Sequence, residues 1–467
     1  MPDAAILARI QFAFTVSFHI IFPTISIGLA LFLAVFEGLW LKTKDALYLQ
    51  IYKFWLNIFA MAFGVGVVTG IVLSFEFGLG FAKFAKLAGP VIGPMIGLEV
   101  LTSFFLEAGF LGIMLFGLNR VGPRLHFFAT CMVAVGTVLS ASWILSANSW
   151  MQTPDGVVWE NGRLVVRDWW RVIVNPSWLV RLPHMLSAAY LTGSFLVAGV
   201  GARYLLKKTH LAFARRTVSL GLAFGSVLIA GQVFIGDLLY GTMLKHQPAK
   251  MQAAEGFWTK QSDSPAPYLW VIIPDKKNQR NRLQLGTPWL GSIWLTHSLD
   301  GRVEGLKNTP VQDQPSMGWV FYGFRTMYVI AIAMFALASA SLWLRWRGKL
   351  FSTRWFLIAL AWMTPSGIFA TLGGWYTAEI GRQPYVIYGL LRTADAVSPV
   401  PAGTLLSSLI AFIVIYSSFF TAFLVFVIRA IRRGPKEMIE FVPSGSLKRA
   451  LRPKIIASAL GPEPISQ

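Results

Sequence analysis

Nine mainly apolar runs, at 11–41, 54–81, 93–118, 127–147, 183–206, 218–243, 319–344, 355–376 and 405–427, leave this chain little choice of fold. About 20 such residues cross a bilayer as a helix, and a backbone in hydrocarbon has to satisfy its own N–H and C=O groups. The reading is therefore an all-α polytopic membrane protein with about nine transmembrane helices. Composition agrees: 55% of the residues are hydrophobic and only 13% charged, too little polar surface for a soluble globule of 467 residues. The N-terminus does not read as a cleaved signal, because Asp3 is its first charge and no basic segment precedes the apolar run.

Orientation follows from the cations. Basic residues gather in the connections 42–53, 120–124, 203–216 and 345–354 and after Arg429, all on one side of the membrane if the helices alternate. The opposite short turns hold fewer, Lys83 and Lys86 in one and Arg382 and Arg392 in another. By the positive-inside rule the C-terminus is cytoplasmic and the N-terminus periplasmic. The same bias explains the excess of 41 Lys+Arg over 21 Asp+Glu through contact with anionic lipid, without a nucleic-acid partner. Cys131 is the single cysteine, so neither a disulfide framework nor a Cys-x-x-Cys-His haem attachment is available. The chain divides into helices 1–6 over 1–244, an outer loop over 245–317, helices 7–9 over 318–432 and a basic cytoplasmic tail over 433–467. The loop is rich in Pro, Asn, Asp and Lys, which argues against a separately packed domain, yet a connection of that length is more often functional than passive.

An ionisable side chain in hydrocarbon costs about 2.5–3.5 kcal/mol on insertion scales and persists chiefly on a proton, ion or cofactor path. Glu99 and Glu107 share the third span; on a regular α-helix they stand about 80° and ~12 Å apart, two rungs of one proton path with Glu107 the more cytoplasmic. His184, in the first turn of the fifth span, and Met327, about two turns into the seventh, both enter from outside and offer the imidazole–thioether pair that ligates a low-spin haem. Arg325, two residues before Met327, suits a haem propionate. His19 inside the first span and Glu379 at the outer end of the eighth are further anchors for iron or a proton relay. Lys250 and Glu255 flank a short apolar patch where the sixth helix leaves the membrane. A carboxylate there accepts a proton from a hydroquinone while the ammonium orients the ring oxygen, although a solvated loop helix is the ordinary reading of that spacing.

These residues stand in strings that resemble subunit I of the cytochrome bd-type quinol oxidases nearly end to end: Arg9-Ile10-Gln11-Phe12 leading to His19, Gly97-Leu98-Glu99 with Phe104-Phe105-Leu106-Glu107, Ala147-Asn148-Ser149-Trp150-Met151-Gln152, and Glu379-Ile380-Gly381-Arg382-Gln383-Pro384. The resemblance implies that His184 and Met327 ligate low-spin haem b, with Arg325 in support. His19 and Glu379 would hold the irons of a two-haem oxygen site, a high-spin haem b with haem d or a further haem b, which sequence does not apportion between them. It also implies that Glu99 lies beside the oxygen-binding haem and Trp375 between centres, that Arg9, Asn148 and Arg382 line the cofactors, and that Lys250 and Glu255 bind ubiquinol or menaquinol. Quinol would be oxidised outside and oxygen reduced to water with cytoplasmic protons, building a gradient without a pump. The implied partners are subunit II, a small single-span subunit and lipid, and the implied location is the bacterial inner membrane. The short outer loop resembles the cyanide-insensitive branch, and Tyr385 stands where many members carry Trp. No copper site is expected, since His126 and His210 read as cytoplasmic turns and His246 and His297 as outer loop.

Two other classes remain open at this point. A proton-coupled transporter would use Glu99, Glu107 and Asp237, but shows none of the inverted repeats usual in such folds. A quinone-linked haem b anchor would need only the His184/Met327 pair and leaves the other polar residues unexplained.

Overall fold

The computed structural model of the protein describes residues 3–436. The basic tail, with Lys448, Arg449, Arg452 and Lys454, lies outside the described residues beyond Lys436. The bundle begins with α1 (Ala4–Thr43), whose N-terminus is capped by Asp3 accepting from the Ala5 N–H at 3.2 Å, and α2 (Ala46–Gly80), capped by Asp45 accepting from Leu47 at 2.9 Å. The third span, Ala82–Phe116, is wound as α3 (Ala82–Glu99), a π turn over Val100–Phe104 and α4 (Phe105–Phe116). Next come α5 (Pro123–Gln152), the hairpin β1 (Val157–Glu160) with β2 (Arg163–Val166), the short α6 (Trp169–Ile173), α7 (Trp178–Lys207) and α8 (Leu211–His246).

The outer loop contains α9 (Pro248–Glu255), the hairpin β3 (Tyr268–Asp275) with β4 (Arg280–Thr287), and α10 (Leu290–Thr296). Then follow α11 (Met317–Trp346), α12 (Arg354–Trp362), α13 (Ser366–Ile380), the small hairpin β5 (Tyr385–Ile387) with β6 (Leu391–Arg392), α14 (Thr393–Ala396) and α15 (Ala402–Arg433). All three hairpins are antiparallel, with Val157 opposite Val166, Tyr268 opposite Thr287 and Tyr385 opposite Arg392, and all lie at the end of the bundle where α5 and α13 finish. The fold is thus mainly helical, as expected.

Among the described residues eight helices are long and apolar enough to span, and α12 with α13 makes a ninth bent by 44°. The eighth expected span is therefore broken. Pro365 stands at the break, where its missing N–H and fixed φ interrupt the helical ladder. Most helices overrun their apolar windows: α1, with 40 residues, is roughly 60 Å long against a hydrocarbon core of about 30 Å, so its ends project well beyond the lipid.

Small residues set the closest packing. A methyl group on Gly28 of α1 would lie 2.4 Å from the Ala189 carbonyl of α7, and one on Gly193 would lie 2.8 Å from the Gly28 backbone. Only glycine permits this crossing, the small-residue contact typical of membrane helices. Around it Phe22, Leu29, Phe32, Leu33, Phe36, Trp55 and Phe195 form the main core. A separate cluster joins the outer loop to the bundle: Met251, Ala253, Ala254, Leu269, Ile272 and Leu306 pack with Met243 of α8 and with Val320 and Phe321 of α11. The loop is ordered and shares its core with the helices it connects.

His126 does not lie in a turn. It is the fourth residue of α5 and fully buried, with Nδ1 2.5 Å from Glu37 Oε1 and Nε2 3.1 Å from the Met114 carbonyl. The carbonyl can only accept, so Nε2 carries hydrogen and the second hydrogen lies between Nδ1 and Glu37. Thr130 donates to Glu37 Oε2 at 2.5 Å, and Tyr52 meets Thr130 at 3.2 Å, tying α1, α2, α4 and α5 together. Breaking a buried pair costs about 3–5 kcal/mol because the remaining group keeps its desolvation penalty. His126→Phe should therefore lower the unfolding midpoint in detergent substantially while Glu37→Gln lowers it less; an unchanged midpoint in His126→Phe would contradict this clasp.

Candidate haem and quinol site

A cavity of about 2230 Å³ runs through the half of the bundle that carries the N-terminus, more than twice the upper range of about 1,000 Å³ for ordinary ligand pockets. Its wall includes Arg9, His19, Glu99, Glu107, Asn148, His184, Lys250, Met327, Trp375, Glu379 and Arg382. Residues far apart in sequence thus converge on one space. Glu255 and Arg325 stand behind the wall, paired with each other.

His19 is oriented by α2. Thr69 Oγ1 lies 2.9 Å from both the Val65 carbonyl and His19 Nδ1, and with its own hydrogen on the carbonyl it accepts one from Nδ1. Nε2 then bears the lone pair, the form a metal-binding imidazole needs. His184 sits in the second turn of α7 rather than the first, because the helix begins at Trp178. Its ring lies 3.3 Å from Gln232 Nε2, which also donates to the His184 carbonyl at 3.2 Å. Met327 faces the same cavity from α11.

The densest polar group surrounds Glu379, the penultimate residue of α13. Its Oε1 accepts from Asn148 Nδ2 at 3.0 Å and Gln152 Nε2 at 3.1 Å, and its Oε2 accepts from Arg382 at 2.5 Å. Arg181 Nη2 donates to Asn148 Oδ1 at 2.6 Å. Lys250, 3% exposed, completes the group by donating to the Gln152 side chain. Three cations thus share one carboxylate in a buried setting. Arg181 Nη1 and Arg382 Nε and Nη1 have no partner among the described residues. A buried guanidinium N–H without an acceptor is costly, so this cluster calls for an anionic ligand. Haem meets the demand with carboxylate propionates, which arginine binds by charge-assisted hydrogen bonds, and the residues fit such a group.

Glu99 Oε1 accepts from Ser140 of α5 at 2.8 Å, and Glu107 is 6% exposed. The π turn between them, with its i→i+5 bonding, rotates one carboxylate relative to the other, so the 80° expected for a regular helix does not apply. Arg325, expected beside a propionate, donates to Glu255 Oε2 at 3.2 Å and to the Leu269 carbonyl at 2.7 Å. Its guanidinium lies 4.3 Å from the Tyr268 ring centroid and 4.5 Å from that of Phe321, and its Nη1 has no partner among the described residues. Lys250 and Glu255 are buried rather than solvated, at 3% and 1% exposure. Burial drives the Lys250 ammonium well below the usual lysine range, with Arg181 adding to the effect and Glu379 opposing it. Burial raises Glu255, and the adjacent Arg325 partly offsets that rise.

Arg181, Gln152 and Ser140 join the site without having been singled out. Arg181 was the most accessible from sequence, an arginine two residues before Pro183. Starting the fifth span at Pro183 set it in the outer turn, whereas α7 begins one turn earlier.

Comparison with known proteins supplies the family. The model for cytochrome bd terminal oxidase subunit I matches residues 7–435. The chain is 37% identical to the cytochrome bd ubiquinol oxidase subunit 1 of Bacillus subtilis over 440 residues, 92% of this chain and 94% of the relative. It is 30% identical to the cytochrome bd-II ubiquinol oxidase subunit 1 of Escherichia coli, over 94% of this chain and 98% of that one. The solved bd oxidase from Geobacillus thermodenitrificans superposes with a TM-score of 0.84 at 29% identity, covering 93% of this chain and 99% of its counterpart. With a site of this chemistry and a match along nearly its whole length, the chain belongs to the family of subunit I of the cytochrome bd terminal oxidases.

Proposed function

We propose that this chain is the haem-bearing subunit of a respiratory enzyme that oxidises quinol and reduces oxygen to water. The observation that carries the reading is the buried cationic cluster around Glu379, with unpartnered guanidinium N–H groups facing a cavity that also holds His19, His184 and Met327. His184 with Met327 would hold a low-spin haem b, and His19 and Glu379 the irons of a high-spin haem b and a haem d or further haem b. Haem groups there supply one-electron transfer and oxygen binding, chemistry that no side chain provides.

The chain's own residues do the rest. Lys250 has one N–H left after donating to Gln152 and Gln247, and it orients a quinol oxygen. Glu255, raised by burial and held as a carboxylate by Arg325, accepts the proton that the hydroxyl gives up and becomes the neutral acid. Glu107 and Glu99 bring protons inward to the oxygen site, with the Ser140 hydroxyl at Glu99. Arg9, Asn148, Arg181 and Arg382 neutralise and position the cofactors, and Trp375 stands between centres. Quinol oxidation outside and proton uptake from inside separate charge without a pump.

In this reading the N-terminus lies in the periplasm of a bacterial inner membrane and the C-terminus in the cytoplasm. Leu101 and Phe105, 65% and 61% exposed beside the Glu99/Glu107 turn, leave that wall to be covered by subunit II or lipid, and a small single-span subunit completes the complex. The division into helices 1–6, a quinol-binding loop over 245–317, helices 7–9 and a basic tail follows from these assignments. Ubiquinol or menaquinol is the donor.

Two substitutions test separate parts of this reading. Met327→Leu removes the thioether and keeps the volume, and should abolish the low-spin haem band in a membrane-inserted protein; an unaltered band removes Met327 from the ligand set. Glu107→Gln should slow oxygen reduction by about a hundredfold, the scale of lost proton transfer, while quinol still reduces the haems at the normal rate. Equal slowing of both reactions would contradict the inward path.

A further inference from the structure

Lys250 and Glu379 are read above as quinol and iron residues on different elements, α9 and α13. A single amide joins them. Gln152, the last residue of α5 and fully buried, accepts from Lys250 Nζ through Oε1 at 2.5 Å and donates through Nε2 to Glu379 Oε1 at 3.1 Å and to the Ala378 carbonyl at 3.3 Å. This orientation is the only one the neighbours permit, because a flipped amide would turn its NH2 toward the ammonium and its oxygen toward a carboxylate and a carbonyl. The run from ammonium to amide to carboxylate is aligned head to tail, so each bond polarises the next.

A second contact reinforces the link. A methyl group on Gly381 would lie 2.5 Å from Lys250 Cγ, so the lysine stem crosses directly over the Glu379–Arg382 turn. Lys250 also has a second acceptor, Gln247 Oε1 at 2.5 Å, which has no hydrogen bond to Glu379 among the described residues. Gln247 is equally buried and supplies a matched control.

We propose that Gln152 is a positioning residue that couples the quinol site to the iron site: a ligand engaging the remaining Lys250 N–H draws on the Lys250–Gln152 bond, and the amide passes the change to Glu379. An enzyme so built senses at its high-spin centre whether a quinol is in place. The inference rests on the assignment of Lys250 to quinol and Glu379 to iron, and its test separates the two.

The experiment uses the purified, haem-loaded complex and a redox-inert quinol mimic, a heptyl-hydroxyquinoline N-oxide. Its binding is followed by competition with quinol, and the potential and absorption of the high-spin haems are recorded with and without it. In the unaltered protein and in Gln247→Leu the mimic should shift the high-spin haem signal. In Gln152→Leu the mimic should still bind and the shift should be lost. Gln152→Glu, which keeps an acceptor for Lys250 but replaces the amide donor to Glu379, should also lose it, and serves if the leucine variant fails to retain haem. A shift that persists in haem-loaded Gln152 variants overturns the coupling, as does an unaltered protein that binds the mimic with no shift. Failure of the parent reading looks different: Lys250→Met would leave the mimic's affinity unchanged, and the coupling would fall with it.

Discussion

Buried positive charge without enough negative charge to answer it is the constraint around which this molecule is organised. Arg181, Arg382 and Lys250 surround Glu379 in a buried setting, and several guanidinium N–H groups have no acceptor among the described residues. Desolvating a cation is costly enough that such a cluster is stable only when a ligand supplies the missing anion. This end of the bundle therefore suits a bound anion, and α5, α7, α13 and α9 bring their polar residues to that point.

Several departures from regular geometry serve the same end. The break at Pro365 makes α13 a separate helix, and it delivers Glu379 and Arg382 from one terminus. The π turn between Glu99 and Glu107 resets the angle of two carboxylates on one span. Packing of the outer loop against α8 and α11 buries Lys250 and Glu255, so that a segment polar in composition becomes part of the site wall. The π turn lines the cavity through Val100 and Phe104, the setting in which irregular backbone is tolerated at membrane depth.

Much of this was legible in the sequence because the bilayer makes polarity informative. The apolar windows located the spans, and intramembrane Glu99, Glu107 and His19 stood out against them. The strings around Asn148 and Glu379 carried the family. The features that escaped depend on winding and side-chain direction. A π turn has no signature in the apolar run 93–118, and Arg181 was hidden by one turn of uncertainty at a helix start. His126 looked like a turn residue because its basic neighbours Arg120 and Arg124 mark the membrane edge, whereas its ring points inward to Glu37. Arg325 lay in the expected place, but only the fold shows that the nearest anion is Glu255.

The central claim is that the cavity holds haems, including one open to oxygen. The most direct measurement is a dithionite-reduced minus air-oxidised visible spectrum of the solubilised complex, repeated under carbon monoxide. The account predicts b-type bands together with a component that shifts with carbon monoxide, and a red chlorin feature would identify that component as haem d. Absence of haem absorbance from intact, folded protein would contradict the account and return the buried carboxylates to a transporter.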